Sequence, residues 1–367
     1  MKIAVVVPGG VDRSGEVKVV PALLALLKRL TRQHEVHVYA LRQEVQPDEW
    51  WLCGARVHNM GGRRVALSQL RALAAIAREH HEGRFDLVQS IWSGAGGVVA
   101  VAAAKLLGLR CAVHVAGGEL VALHDIGYGG RLGVRGRLRE AWVLRGADAL
   151  TAASQLVLAQ LATLGHRRGR RLPLGVDLDV WAPREPRPRV AGEPLRLVQV
   201  ASVNRVKDQT CLLRALALVP RADLDLIGED TLNGEMQGLA ERLGVAERVH
   251  FHGFKTQTEL RPLLARAHLH VITSRHEAGP LAVLEAAVLG VPSVGTAVGH
   301  LAEWAPDAAL AVAPGDAVGL AGLIGRVGAD ESLRLRLARE AQRRAVVEDA
   351  DHCHEQFERL YAELLGR

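Results

Sequence analysis

A chain of 367 residues, 49% hydrophobic and with 38 glycines, has core enough for two domains, and it holds no apolar run of about 18 or more residues, which excludes a membrane-spanning helix. Its four cysteines, Cys53, Cys111, Cys211 and Cys353, are scattered without a CxxC pair, so neither a zinc site nor a disulfide framework is indicated and the cytoplasm is the expected compartment. The net charge of +6 rests largely on arginine clusters, Arg131, Arg135, Arg137, Arg139 and Arg145, then Arg167, Arg168, Arg170 and Arg171. Solvated helix faces are the plain reading of these clusters and peripheral contact with an anionic inner-membrane surface is the alternative. No nucleic-acid partner is expected, because few aromatics interleave and no nucleic-acid motif is present.

The first ten residues carry one lysine and a six-residue run, Ile3–Pro8, too short for a signal h-region and closed by a glycine pair, so the segment reads as a first strand. Val20–Arg32 has helical spacing, Glu35–Ala40 alternates, Leu67–His80 is helical, Phe85–Ser90 strand-like, Gly97–Leu107 helical and Cys111–Ala116 strand-like. This βαβα order predicts a parallel sheet with helices on both faces. Pro183–Pro194 is proline-rich and reads as a linker. A second series follows, with strand-like runs at Leu195–Ala201, Ala222–Ile227, Val249–Phe251, His268–Ile272 and Val291–Gly295, and the last segment, Cys353–Leu365, is amphipathic at helical spacing. The expected architecture is α/β, two Rossmann-like domains whose ligands sit at the carboxyl ends of strands.

Four places stand out for chemistry. Gly9 and Gly10 follow the first strand, where a backbone without Cβ lets a ligand approach; a tight turn explains them as well, and the GxGxxG dinucleotide fingerprint is absent. His114 lies late in a strand ending in Gly117-Gly118-Glu119 and is either an acid, base or donor, or a buried structural histidine. Ser202-Val-Asn-Arg205-Val-Lys207-Asp208 follows the first strand of the second series and opens a helix with Asp208 as N-cap. Arg205 and Lys207 then crowd the positive end of a helix dipole, a placement that a bound phosphate would balance. The fourth is Glu277-Ala278-Gly279-Pro280-Leu281-Ala-Val-Leu-Glu285: Pro280 is expected at the first helical position, and Glu285 at the edge of an apolar helix face. A lone carboxylate there needs donors, which either a ligand's hydroxyls or a distant arginine would supply. Two DxD triplets, Asp177–Asp179 and Asp223–Asp225, are discounted because so short a pattern arises by chance.

Together these segments resemble the family 4 retaining glycosyltransferases of GT-B fold, the glycosyl transferases group 1. The most specific part is Glu277 to Glu285, similar to that family's E-x7-E segment, continued by Val291–Gly299 with Glu303 where a glutamate usually follows. Ala201–Asp208 resembles the phosphate-binding loop, with Ser202 in place of the usual arginine, so that Lys207 carries more of that role. Pro173-Leu-Gly-Val-Asp177 resembles the turn that opens the second domain, and Pro8–Arg13 the loop facing donor and acceptor. The family's histidine before the glycine pair is Ala116 here, with His114 two residues earlier.

The resemblance implies two Rossmann-like domains with parallel sheets facing across a central cleft. The acceptor-binding domain would be 1–175, the nucleotide-sugar-binding domain 176–350, and 351–367 a helix crossing back to the first domain. It implies a retaining, metal-independent transferase that moves a sugar from a nucleotide-diphosphate donor, with no cofactor, to a glycan, a lipid-linked sugar or a small molecule. Glu277, Lys207 and His114 would be catalytic. Gly9, Gly10, Ser202, Arg205, Lys207, Ala278, Gly279, Pro280, Leu281 and Glu285 would bind substrate. The rivals are a nucleotide-sugar 2-epimerase of similar fold and a nucleotide-sugar-binding protein impaired in catalysis.

Overall fold

The apolar run at the amino end folds as strand β1 (Lys2–Val7), buried from Ile3 onward and flanked on both sides by parallel neighbours. The computed structural model describes residues 1–190 and 192–367 and divides them into two units: Met1–Gly175 with Ala350–Arg367, and Val176–Asp349.

In the first unit β1 is followed by α1 (Pro21–Leu30), β2 (Glu35–Ala40), β3 (Asp48–Leu52), β4 (Ala55–Asn59), α2 (Val65–Glu82), β5 (Leu87–Ile91), α3 (Ala95–Leu107), β6 (Arg110–Val115), α4 (Val134–Gly146), β7 (Ala149–Ala152), α5 (Gln155–Thr163) and β8 (Arg170–Arg171). The sheet order is β3-β4-β2-β1-β5-β6-β7-β8, parallel except at β3, which pairs antiparallel with β4. The chain winds outward from β1 in both directions, so β1 and β5 flank a topological switch point. The β3–β4 hairpin has no strand signature in the sequence because most of β3 is exposed and lacks alternation. Its turn is set by Cys53 and Gly54, both at positive φ (51° and 80°), the geometry of a two-residue hairpin loop.

The second unit has β9 (Leu195–Val200), α6 (Gln209–Ala217), β10 (Ala222–Ile227), α7 (Glu235–Arg242), β11 (Val249–Phe251), α8 (Gln257–Ala265), β12 (Leu269–Ile272), α9 (Leu281–Val288), β13 (Ser293–Thr296), α10 (Gly299–Trp304), β14 (Ala309–Val312), α11 (Ala317–Ala329) and α12 (Glu331–Val347). Its sheet, β11-β10-β9-β12-β13-β14, is wholly parallel, with the switch between β9 and β12. One core, around Leu197, Leu212, Leu224 and Ile324, lies on one face of this sheet, and a second, around Val198, Val283, Leu284 and Trp304, on the other. Adjacent residues of β9, Leu197 and Val198, thus point into different cores, as strand alternation requires.

Pro183–Pro194 is not a junction. The second unit begins at Val176, and the proline-rich stretch is a strap bound to that unit. Prolines deprive it of donors, so side chains capture its carbonyls instead: Gln342 donates to Arg184 O (2.7 Å) and Arg334 to Arg187 O (2.5 Å).

The last helix, α13 (Ala350–Leu365), belongs to the first unit. It buries Cys353, Phe357, Leu360 and Tyr361 in the core beneath β1 and α1. At its start Asp351 takes both ends of the buried Arg29 guanidinium (2.7 and 3.0 Å), and Glu358 meets His34 at 2.7 Å. Tyr361 donates its hydroxyl to Gln89 of β5.

Candidate functional site

The carboxyl end of β9 leads into the loop Ala201–Asp208. Asp208 caps α6 as the sequence predicts: its carboxylate accepts from Cys211 N (3.2 Å), and its own backbone is left-handed, φ 47°. The loop is pinned from both sides. Asn204 Oδ1 accepts the amides of Val206 (3.2 Å) and Lys207 (3.1 Å), and Thr273 Oγ1, just past β12, donates to Lys207 O (2.8 Å). Beneath it Gln209 donates to Gln199 Oε1 and Gln199 to Thr273 Oγ1, each at 2.9 Å, inside an otherwise apolar layer. The loops after β9 and β12, the two switch-point strands, are therefore one hydrogen-bonded piece.

On that piece Lys207 and Glu277 meet. Lys207 Nζ stands 2.5 Å from Glu277 Oε1, and Ser274 Oγ donates to the same oxygen at 2.6 Å. Ser202 is exposed at the start of the loop. Arg205 is directed elsewhere: its guanidinium forms a bidentate pair with Glu235 at 2.9 and 2.7 Å, so a carboxylate and not a phosphate supplies its counter-charge.

Ala278 is buried behind this pair, and Gly279-Pro280 turns the chain into α9. Pro280 is the N-cap residue (φ −69°, ψ 113°) and not the first helical position, which falls to Leu281. It offers no side-chain acceptor to the first amides of the helix, so those donors and the dipole remain for an anion. The turn is held by Gly299: a Cβ there, at φ 48°, would lie 2.6 Å from Pro280 Cδ and 3.2 Å from Glu277 Cβ. Only glycine permits α10 to start this close to the turn.

Glu285 is more deeply set than an edge position. The helix is buried from Val283 to Val288, and Glu285 is 4% exposed. Its carboxyl makes no hydrogen bond or ion pair among the described residues, which leaves the distant-arginine reading without support. Burial pushes it up to about 8. The carboxyl is thus neutral at pH 7 in the folded chain, whereas unfolding returns it to its ordinary value of 4.5. Between those two values the unfolded chain holds fewer protons, so this group's contribution to stability falls as pH rises from about 4.5 to about 8. Glu285→Gln removes that dependence. The stability gap between variant and parent, from denaturant melts at pH 5, 6.5 and 8, is expected to widen in the variant's favour; a constant gap contradicts the burial of an unpaired carboxyl.

In the first unit Gly9 and Gly10 close a tight turn. Gly10 has φ 83°, and Gln43 Oε1 accepts from Gly10 N (2.7 Å) and Val11 N (3.0 Å). His114 is fully buried: Thr151 Oγ1 lies 2.9 Å from its Nδ1, its ring meets Phe357 edge-on, and burial drives it down to about 3. These contacts are those of a core histidine. At the carboxyl ends of β5 and β6 the half-buried Glu119 accepts from Ser93 N at 3.0 Å, and desolvation raises its carboxyl. Sequence reasoning passed over Glu119, Ser274, Thr273 and Gln43. The available signal was position: Thr273 and Ser274 stand directly after the strand-like run His268–Ile272, and Glu119 follows the glycine pair that closes the Cys111–Ala116 run.

Among the described residues one group has metal-ligand spacing, Glu35, His37 and Glu79, and Lys2 Nζ already sits 3.0 and 2.7 Å from its two carboxylates. Asp225 of the second DxD triplet is spent on Arg266 and His252.

Two α/β units, one of them carrying a lysine–glutamate pair beside an uncapped helix amino end at its switch point, define a doubly wound class of protein whose candidate site lies at the carboxyl ends of strands. Two family models place it further: Glycosyltransferase Family 4 matches residues 19–180, and Glycosyl transferases group 1 matches 184–344. The chain belongs to these glycosyltransferases. Among curated relatives it is 34% identical over 182 residues to an MMP alpha-(1->4)-mannosyltransferase from Mycolicibacterium hassiacum, covering 48% of this chain and 43% of that protein. It is 32% identical over 175 residues to D-inositol 3-phosphate glycosyltransferase from Mycolicibacterium smegmatis, covering 44% and 40%. The matches thus span about half the length of those relatives or less. Among solved structures, sucrose-phosphate synthase from Thermosynechococcus elongatus superposes with a TM-score of 0.83 at 19% identity over 100% of both chains. Anabaena HepE, solved with UDP-glucose, gives 0.74 at 22% identity over 100% of this chain and 99% of that one. The fold is GT-B.

Proposed function

We propose that this chain transfers a hexose from a nucleoside-diphosphate donor to a hydroxyl acceptor, with retention at the anomeric carbon and without a metal ion. The observation that carries this reading is the Lys207–Glu277 pair, fixed on two switch-point loops beside the uncapped amino end of α9. As the bond from the anomeric carbon to the diphosphate oxygen breaks and that to the acceptor oxygen forms, charge grows on the leaving diphosphate, whose oxygen then takes the proton given up by the acceptor hydroxyl. Lys207 and the first amides of α9, near Leu281, meet that charge in place of a metal ion. Glu277 takes a sugar hydroxyl, and Glu285 takes the ribose hydroxyls. Both roles are those that the resemblance of the Glu277–Glu285 segment implies, and a buried carboxyl at Glu285, without a protein donor among the described residues, supports the second. The nucleotide-hexose class draws on HepE, solved with UDP-glucose. The test is release of nucleoside diphosphate from a panel of nucleotide hexoses, with and without candidate glycan and lipid acceptors. Donor consumption with transfer of the sugar to an acceptor is expected, and epimerised donor without release would favour a different reaction.

Glu285→Ala is expected to weaken nucleoside-diphosphate binding by about 1–3 kcal/mol, the scale of a hydrogen bond to a charged group. Because two ribose hydroxyls favour the ionised carboxylate, binding should also release a proton near pH 7. Calorimetry in buffers of different ionisation enthalpy reads both effects, and unchanged affinity in a folded variant removes the ribose role.

We also infer peripheral contact with an anionic membrane through α4. Val134, Leu138 and Trp142 lie exposed at four-residue spacing on one face, between the exposed Arg135 and Arg139, while Val143 and Leu144 face the core. An apolar stripe flanked by guanidiniums suits a headgroup boundary. Co-sedimentation with anionic vesicles at low salt, lost at high salt and in Leu138→Glu, is expected; absence of binding at low salt contradicts it.

A further inference from the structure

A cavity of about 730 Å3 opens in the first unit at the amino end of β7, beside the loop that follows α5. Leu144, Leu150 and Leu360 form its apolar floor, and Arg145, Arg167 and Arg168 stand around it. The proposed donor residues belong to the second unit, at the opposite, carboxyl ends of that unit's strands.

The charges of this cavity do not cancel. Its two carboxylates are engaged, Asp148 with Arg110 (2.9 Å) and with Cys111 N (2.8 Å), and Glu363 with Arg170 (2.5 Å). Arg145, Arg167 and Arg168 make no hydrogen bond or ion pair among the described residues. The carboxyl ends of α4 and α5 lie nearby and would account for part of this charge, each about half an elementary charge. Three guanidiniums exceed that sum. A second hollow of about 340 Å3 shares Leu144, Arg145 and His166 with the first and adds Arg137, also unpaired among the described residues. His166, which lines both, is lowered by partial burial first and by the charge of Arg145 second, as a positive field there requires.

We propose that this cavity is a second ligand site that takes a phosphate group among Arg145, Arg167 and Arg168, with the apolar remainder of the ligand over Leu144, Leu150 and Leu360. Guanidinium forks match phosphate oxygens in pairs, and the leucine floor leaves room for more than the anion alone. The same chemistry comes from a soluble phosphate compound or from a phospholipid headgroup.

The test follows the imidazole signals of His166 by NMR in the full chain, as a reporter that the proposed donor site does not contain. Inorganic pyrophosphate stands for the soluble source, and phosphatidylglycerol vesicles, against phosphatidylcholine vesicles, for the lipid one. An upward movement of the His166 titration midpoint with pyrophosphate identifies a soluble ligand class. Movement only with phosphatidylglycerol identifies a headgroup. In either case Arg167→Ser/Arg168→Ser, two exposed loop positions, should weaken the effect at least about tenfold, because each lost guanidinium–phosphate contact is a charged hydrogen bond. A midpoint that neither probe moves overturns the proposal, and so does one that moves equally in the double variant. Nucleoside-diphosphate binding, measured on the same samples, reports the donor site separately, so the two readings fail independently.

Discussion

Lys207→Ala is expected to lower donor turnover by about 10²–10³-fold, or about 2.7–4 kcal/mol, the scale for removing one preorganised group that meets transition-state charge. The variant loses the only ammonium at the switch-point loops and leaves Glu277 Oε1 with Ser274 as its remaining partner. The effect should fall on kcat more than on KM, because the diphosphate gains charge only as it leaves. Selectivity for nucleoside diphosphate over monophosphate should fall with it. Arg205→Ala is the control: that guanidinium is tied to Glu235 near the surface, so turnover should change little. A Lys207→Ala enzyme within about threefold of the parent, or an Arg205→Ala enzyme as impaired as Lys207→Ala, would transfer the role to another cation.

Phe357→Ala should cost the first unit about 3–5 kcal/mol. The ring is fully buried in α13, 6.0 Å from the His114 ring and 5.9 Å from that of Tyr361, in the core that also holds β1, β2 and α1. Truncation leaves a cavity between a helix and a sheet that the chain joins only at its far end. For a unit of this size the loss corresponds to a melting transition lower by about 10 °C. Calorimetry should show this on the transition of the first unit alone, while nucleoside-diphosphate binding, assigned to the second, persists at low temperature. An unchanged first-unit transition would mean that α13 adds little to that core.

The parallel sheets were legible because their strands read either as a continuous apolar run, as in Ile3–Pro8, or as a clear alternation, as in Ala222–Ile227. Among the elements that escaped are the short interior strands β4 and β7, and some whose stability is borrowed. β3 lies at an exposed edge, and β14 is a four-residue strand held by its ladder to β13. The Pro183–Pro194 strap has a linker's composition and is fixed by partners far away in sequence, among them Val288 O for the Arg184 amide, Gly328 O for Arg189, and side chains from α12. The candidate site divides the same way. Glu277 and Lys207 announced themselves as charges just before helix starts, and Glu285 as a charge within an apolar helix. What orients them did not: the Gln199–Gln209–Thr273 relay joins residues of separate elements, and the Ser274 contact depends on how its own loop turns. The exit of Arg205 toward Glu235 spans 30 positions and carries no local signature.

The most direct test of a nucleotide-sugar site in the second unit is a thermal-shift titration of the intact chain with nucleoside diphosphates and their hexose conjugates. Ligand at 100 times its dissociation constant adds about 2.7 kcal/mol to the unit that binds it. The expected result is that at least one diphosphate raises the second unit's transition, that its monophosphate does so less, and that Glu285→Ala reduces the gain. No stabilisation by any member of the panel at millimolar concentration, or stabilisation confined to the first unit's transition, would contradict it.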